Sequence, residues 1–486
     1  MSTAPARAAV ERSWSCDTLY VPAHHTTRNQ SIIAKNSDRP TGEAQPLRRN
    51  PARSGRDPLE LAYLTIEDQP TLATFGSAPH WCWGYEFGIN EKNVAIGNEA
   101  LFTRAWADGV RGAKSGNPPA SGILGMELLR LGLERGATAS EALGVITSLL
   151  EEYGQWGSAR ARTPAADGAY DNAFVIADPH RAFVLETAGR DWAAREISAE
   201  PFTISNQPTI RADYDSASST LDNISGPGSG PVDFARAVVD PGTPLQVSQI
   251  RQRRSHELLT EAVGGGKAGV DTVKRILRDH YEDSFLQGPF FNPAVPDFLS
   301  LCMHEHPAGF TWGNTAASFI TELASGPDDL TVLWWTPLPP CVGAYIPIFP
   351  TVDPRIPVGL TLPAPVRPRP PEQMAPSRFE PESYWWAMQN LLDITKGGAM
   401  ADSFPERQAE VRAAFDPLEH ALTEEVSNLR AVWSATGAGG RQALGAQLPG
   451  VTQRAVQAVD EFISLFVGKY SPEHRAAPFD ARWGRE

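Results

Sequence analysis

A thiol, an ammonium and a carboxylate come together within the first forty residues. Cys16 leads the apolar run Leu19-Tyr20-Val21, residues 24–30 carry turn chemistry, and Ile32-Ile33-Ala34 opens a second β-prone run that Pro40 closes. Pairing the two runs as a hairpin returns Lys35 and Asp38 to the side of Cys16. A cation and a carboxylate beside a thiol are the parts of a positioned, partly ionised nucleophile. The same residues also fit a buried packing cysteine on an ordinary hairpin with a polar turn. Residues 1–15 are small and polar with no clear period and read as a leader. Were they removed, Cys16 would carry a free α-amine. Its pKa of about 8 lies close to that of a thiol, so one residue could supply both nucleophile and base.

Two asparagines follow β-prone runs and could serve as active-site amides. Asn98 closes the strand after Trp81-Cys82-Trp83-Gly84-Tyr85-Glu86-Phe87-Gly88, and Asn206 sits in Ile204-Ser205-Asn206-Gln207-Pro208. An amide just past a strand can aim N–H at a developing oxyanion, and it equally suits a turn. His304-Glu305-His306 has the composition of a metal ligand set but lacks helical His-Glu-x-x-His spacing. Adjacent side chains on a strand face opposite ways, so the triplet is read as structural.

The elements that must position these groups are legible in outline. Beyond the hairpin, residues 59–66 and 71–75 read as short strands, 121–153 as a helix pair, and 171–197 as three strands around an Asp178-Pro179-His180 turn. Thr138 and Glu141 form a capping box for the second helix of that pair. Residues 211–245 are a polar excursion, 247–264 and 270–281 are helical, and 330–335 is a strand. Residues 299–306 and 316–323 bracket a further compact segment, and 384–394, 406–435 and 451–466 are helical. The predicted organisation is a leader over 1–15, a main domain over 16–350, a proline-rich connection over 351–381 and a helical region over 382–486.

The chain has 486 residues, 41% of them hydrophobic and 21% charged, so a large core is within reach. A net charge of -14 argues against a nucleic-acid surface, which needs clustered Lys and Arg. No apolar run is long enough to span a bilayer, so no membrane partner is expected and the protein is read as cytoplasmic. Cys16, Cys82, Cys302 and Cys341 are too few and too scattered for a disulfide framework and are read as free thiols. Trp385-Trp386 is read as a packing contact or a contact between two copies in a homo-oligomer.

In these motifs the chain resembles the secernin and dipeptidase family of cysteine N-terminal nucleophile hydrolases. The likeness rests on Cys16-Asp17-Thr18, Ala34-Lys35-Asn36-Ser37-Asp38-Arg39-Pro40, Trp83-Gly84-Tyr85-Glu86-Phe87-Gly88-Ile89-Asn90-Glu91 and Ile96-Gly97-Asn98-Glu99-Ala100. Val184-Leu185-Glu186-Thr187-Ala188-Gly189 and Ile204-Ser205-Asn206-Gln207 extend it over most of residues 16–350. The resemblance implies an α+β fold, an αββα four-layer sandwich, here with a helical C-terminal extension. It implies hydrolysis of an amide bond, typically in a dipeptide or N-acyl amine, through a thioester on Cys16. Asp38, Asn98 and Asn206 would be the catalytic partners, Lys35 and Asn36 would meet the substrate, and no metal or organic cofactor would be needed. Lys35 stands where related bile-salt and penicillin acylases carry Arg, and the two cations are not interchangeable in bidentate contacts. The alternatives are an N-acyl amidohydrolase or an acyltransferase on a small metabolite, or a non-catalytic secernin-like regulatory protein on the same fold.

Overall fold

The computed structural model describes residues 15–55, 58–221, 231–243, 246–289, 291–296, 298–307, 311–352, 355–398 and 400–471. The leader apart from Ser15, and part of the 211–245 excursion, lie outside the described residues.

Two antiparallel sheets form the centre. The first has six strands in the order Phe202–Ile204, Cys16–Val21, Ile32–Pro40, Gly313–Glu322, Val332–Pro337 and Ile346–Ile348. The second has eight, in the order Ser216–Ala217, Asp191–Glu196, Ala182–Ala188, Asp171–Ala177, Ala95–Leu101, Phe87–Asn90, Thr74–Ser77 and Leu47–Asn50. Alternation along the second sheet separates two cores. Ala95, Ala173, Val175 and Val184 point toward the first sheet, whereas Ile96, Phe174, Ile176 and Leu185 point outward. Between the sheets, the rings of Phe87 and Phe319 stack with centroids 5.0 Å apart.

Helices close both outer faces. Gly125–Arg135 and Ala139–Tyr153 cover the eight-stranded sheet, as predicted for the 121–153 pair. Thr138 caps the second helix by accepting from Glu141 N at 3.2 Å, while the Glu141 carboxylate reaches Ala137 N rather than closing a box on Thr138. Gln246–Gly264, Val270–Leu277 and the C-terminal helices cover the six-stranded sheet, which completes the αββα sandwich. Trp385 Nε1 donates to Ala316 O at 2.9 Å, and Thr452 Oγ1 donates to Pro347 O at 2.7 Å. The C-terminal helices therefore share one core with the sheet. Both Trp385 and Trp386 are buried in it, which makes the pair an internal packing contact and unavailable to a second copy. Sequence periodicity did not single out the helix Arg104–Lys114 or the central strand Gly313–Glu322. That strand is buried on both faces, so it lacks the alternation that marks a half-exposed one. No helix among the described residues is long and apolar enough to cross a membrane.

Candidate active site

The hairpin pairs Cys16 with Ser37 and Thr18 with Lys35. This register sets the Asp38 N–H 3.4 Å from Cys16 Sγ, so the strand return supplies the thiol with a backbone donor. Across the strand on its other side, Asn206 follows directly on Phe202–Ile204. Its Oδ1 accepts from the Cys16 backbone N at 2.9 Å, and its Nδ2 donates one hydrogen to Ala100 O at 2.9 Å. Asn206 thus clamps the backbone nitrogen of Cys16 to the second sheet.

Arg251, from the helix Gln246–Gly264, completes that clamp and was not a candidate from sequence. It is fully buried, and its Nη2 donates to Asn206 Oδ1 at 2.9 Å. Its Nη1 donates to Cys16 O at 3.1 Å and to Asp17 Oδ2 at 2.7 Å. Nothing local marks it in Arg251-Gln252-Arg253-Arg254, where Gln252 donates to Thr203 and Arg254 to Asp279.

Lys35 points from the hairpin into the space between the sheets. Gly97 makes room for it, since a Cβ there would meet Lys35 Cδ at 3.2 Å and Thr18 Oγ1 at 3.3 Å. Lys35 Nζ lies 3.8 Å from Glu86 and 3.6 Å from Glu99, and it donates to the Asn98 carbonyl. Burial works against its charge, but Cys16, Glu99 and Glu86 outweigh burial and hold its pKa above the ordinary value. Burial conversely pushes the Cys16 thiol well above its usual value, and the Lys35 ammonium opposes that shift. Lys35 is thus the cation that favours a thiolate at Cys16.

The structure distributes the other predicted residues differently. The Asn98 side chain lies between Asn172 Oδ1, 3.1 Å away, and Glu86 Oε2, 3.0 Å away, so it reaches the nucleophile only through Lys35 and its neighbours. Asn36 faces the outer helices: its Nδ2 donates to Leu277 O at 2.8 Å and Leu301 O at 2.7 Å, and its Oδ1 accepts from Ser318. Both amide hydrogens are spent on backbone, which corrects the expectation that Asn36 meets substrate. Its alternation with Lys35 along the strand is the physical reason.

Asp38 sits between two hydroxyls. Its Oδ1 accepts from Thr315 Oγ1 at 2.7 Å, and its Oδ2 accepts from Ser15 Oγ. Burial lifts its pKa to about 7 against the pull of those hydrogen bonds. A carboxyl raised in the folded state adds stability that is complete below its unfolded pKa of about 3.9 and is lost as pH climbs through about 7. In a Cys16→Ala background, Asp38→Asn should therefore gain stability relative to its parent as pH rises between those values. Melting temperatures across that range check this, and parallel curves for the two proteins would refute it.

No family model matches the chain. A dipeptidase from Bifidobacterium longum (strain NCC 2705) is 29% identical over 212 residues, which is 40% of this chain and 37% of that protein. The chain thus spans little more than a third of the length of this curated relative. Among solved structures it is similar to a conjugated bile acid hydrolase from Clostridium perfringens, with a TM-score of 0.39 and 12% identity over 66% of this chain and 89% of that one. It is also similar to penicillin V acylase from Agrobacterium tumefaciens, with a TM-score of 0.38 and 12% identity over 70% and 87% of the two chains.

Proposed function

We propose that this chain is a cysteine-dependent amide-bond hydrolase, a dipeptidase by substrate class, in which Cys16 acts as an N-terminal nucleophile once residues 1–15 are removed. The observation that carries the reading is the treatment of Cys16 at both ends. Its backbone nitrogen is held by Asn206 Oδ1 at 2.9 Å, and its sulfur is held by the Asp38 N–H at 3.4 Å and faces the field of Lys35. The partial likeness to a dipeptidase supports the substrate class.

In this reading the nitrogen held by Asn206 becomes the free α-amine. Loss of Ser15 releases Asp38 Oδ2, which then orients that amine. The amine takes the Cys16 thiol proton as sulfur attacks the scissile carbonyl, and returns it to the leaving amine as the thioester forms. The second Asn206 amide hydrogen is the donor to the tetrahedral oxyanion. Water then cleaves the thioester, with the amine again acting as base.

Intact-mass measurement on purified active protein tests the central claim, with the expected mass that of a chain starting at Cys16. Full activity in protein that retains residues 1–15 would remove the α-amine base. A dipeptide panel assayed with and without a competing amine separates the chemistry. Free amino acids as the dominant products support hydrolysis, and preferential acylation of the added amine would make the protein an acyltransferase.

A further inference from the structure

Away from Cys16, four ligating side chains converge from three separate segments. His280 follows the helix Val270–Leu277, Cys302 and His304 precede the strand Gly313–Glu322, and Cys341 lies in the turn after Val332–Pro337. All four are at most 3% exposed, and one ligand atom from each lies within 4.8 Å of every other. His280 Nε2 is 3.3 Å from His304 Nε2, which is 3.2 Å from Cys341 Sγ and 3.8 Å from Cys302 Sγ. We propose that His280, Cys302, His304 and Cys341 form a structural zinc site in which two imidazole Nε2 atoms and two thiolates complete a tetrahedron.

The three edges that meet at His304 Nε2, 3.3, 3.2 and 3.8 Å, lie near those of a zinc tetrahedron, and all four ligand atoms fall within 4.8 Å of one another. With Zn–N of about 2.0–2.1 Å and Zn–S of about 2.3 Å, a tetrahedron has edges of about 3.3 Å between nitrogens, about 3.6 Å between nitrogen and sulfur and about 3.8 Å between sulfurs. An N₂S₂ donor set of this shape suits zinc better than the hard, oxygen-seeking cations. The surroundings also prepare His280. Glu282 Oε1 lies 2.8 Å from His280 Nδ1, which keeps the ring proton on Nδ1 and turns the Nε2 lone pair toward the cluster. Cys302 and His304 are two apart in sequence, and with Cys302 Sγ 3.8 Å from His304 Nε2 both side chains reach the same point. Binding would release the two thiol protons to solvent and leave a closed site with no open position for substrate.

The location explains what the ion would do. Between Leu277 and Gly313 the described residues form no helix or strand, and the ion would tie the three ligands of this irregular stretch to Cys341, in the turn after Val332–Pro337 of the six-stranded sheet. The C-terminal helical layer covers the cluster, with Phe404 packed edge-on to His304 at 5.4 Å. Met303, between two of the ligands, donates its N–H to Thr315 Oγ1 at 2.9 Å, and Thr315 in turn donates to Asp38. The ion would therefore also steady the wall on which Asp38 rests.

Full-length protein expressed with added zinc, purified without chelator and exchanged into metal-free buffer, should contain about one zinc ion per chain by elemental analysis. Cobalt(II) in its place should give thiolate-to-cobalt charge-transfer absorption. Cys302→Ser and His304→Ala should lose most of the metal and melt at lower temperature, whereas Cys82→Ser should keep it. Because either ligand variant could fail to fold, the wild-type protein decides the matter. Absence of bound zinc together with no cobalt–thiolate band in the reduced protein would overturn the proposal, as would a Cys302–Cys341 disulfide in protein purified under argon. The metal content is read without substrate, so its failure leaves the hydrolase reading intact.

Discussion

Replacing Cys16 by alanine is expected to reduce amide hydrolysis by about 10⁴-fold or more, the scale seen when a covalent nucleophile is removed from an otherwise intact site. The fold should survive. The side chain is small, and its removal takes away the 3.4 Å hydrogen bond from the Asp38 N–H, whose strand remains paired with Gly313–Glu322 through the rest of its length. Steady-state kinetics and a melting curve on one variant test both halves. Cys82→Ala provides the control: Cys82 is buried in the core outside the eight-stranded sheet, its sulfur accepts from Gly84 N, and its replacement should leave turnover nearly unchanged. Loss of turnover in folded Cys82→Ala, with Cys16→Ala still active, would move the nucleophile. Cys302 and Cys341 are a separate case, since their replacement is expected to appear in zinc content and melting temperature.

Asn206→Ala is expected to lower kcat by about 100- to 1000-fold with little change in KM, equivalent to about 2.7–4 kcal/mol for one oxyanion donor. It should also cost about 1–3 kcal/mol of stability, because Arg251 Nη2 and the Ala100 carbonyl would each lose a buried hydrogen bond, leaving Nη2 the longer 3.5 Å contact to Ser248 Oγ. Asn206→Asp separates the two roles. A carboxylate there still accepts from the Cys16 nitrogen and from Arg251 while the N–H donor is removed, and its second oxygen then faces the Ala100 carbonyl in place of donating to it, so a melting curve accompanies the kinetics. A kcat drop in Asn206→Asp comparable to that in Asn206→Ala, measured in folded protein, supports donation to the oxyanion. Wild-type kcat in Asn206→Asp would confine Asn206 to positioning and pass the donor role to a backbone amide.

The sequence by itself determined the elements whose signals are local. The Cys16–Val21 and Ile32–Pro40 hairpin follows from β-prone runs on either side of a polar turn, and its register alone sets Asp38 N against the Cys16 sulfur. Helix periodicity likewise marked Gly125–Arg135, Ala139–Tyr153 and the C-terminal helices, because their buried faces recur at helical spacing. Only the tertiary structure decided which side chains share a space. Arg251 reaches Cys16 across 235 positions, and Glu86 and Glu99 meet Lys35 because the second sheet stacks on the first. Asn36 and Lys35 are neighbours in sequence, yet the pleat sends one to the outer helices and the other between the sheets. His304 looked structural beside Glu305 and His306, since its candidate co-ligands Cys302, His280 and Cys341 stand 2, 24 and 37 positions away and only Cys302 is near in sequence. Local periodicity records which way a backbone presents its side chains; convergence of polar groups from distant segments depends on how sheets and helices stack.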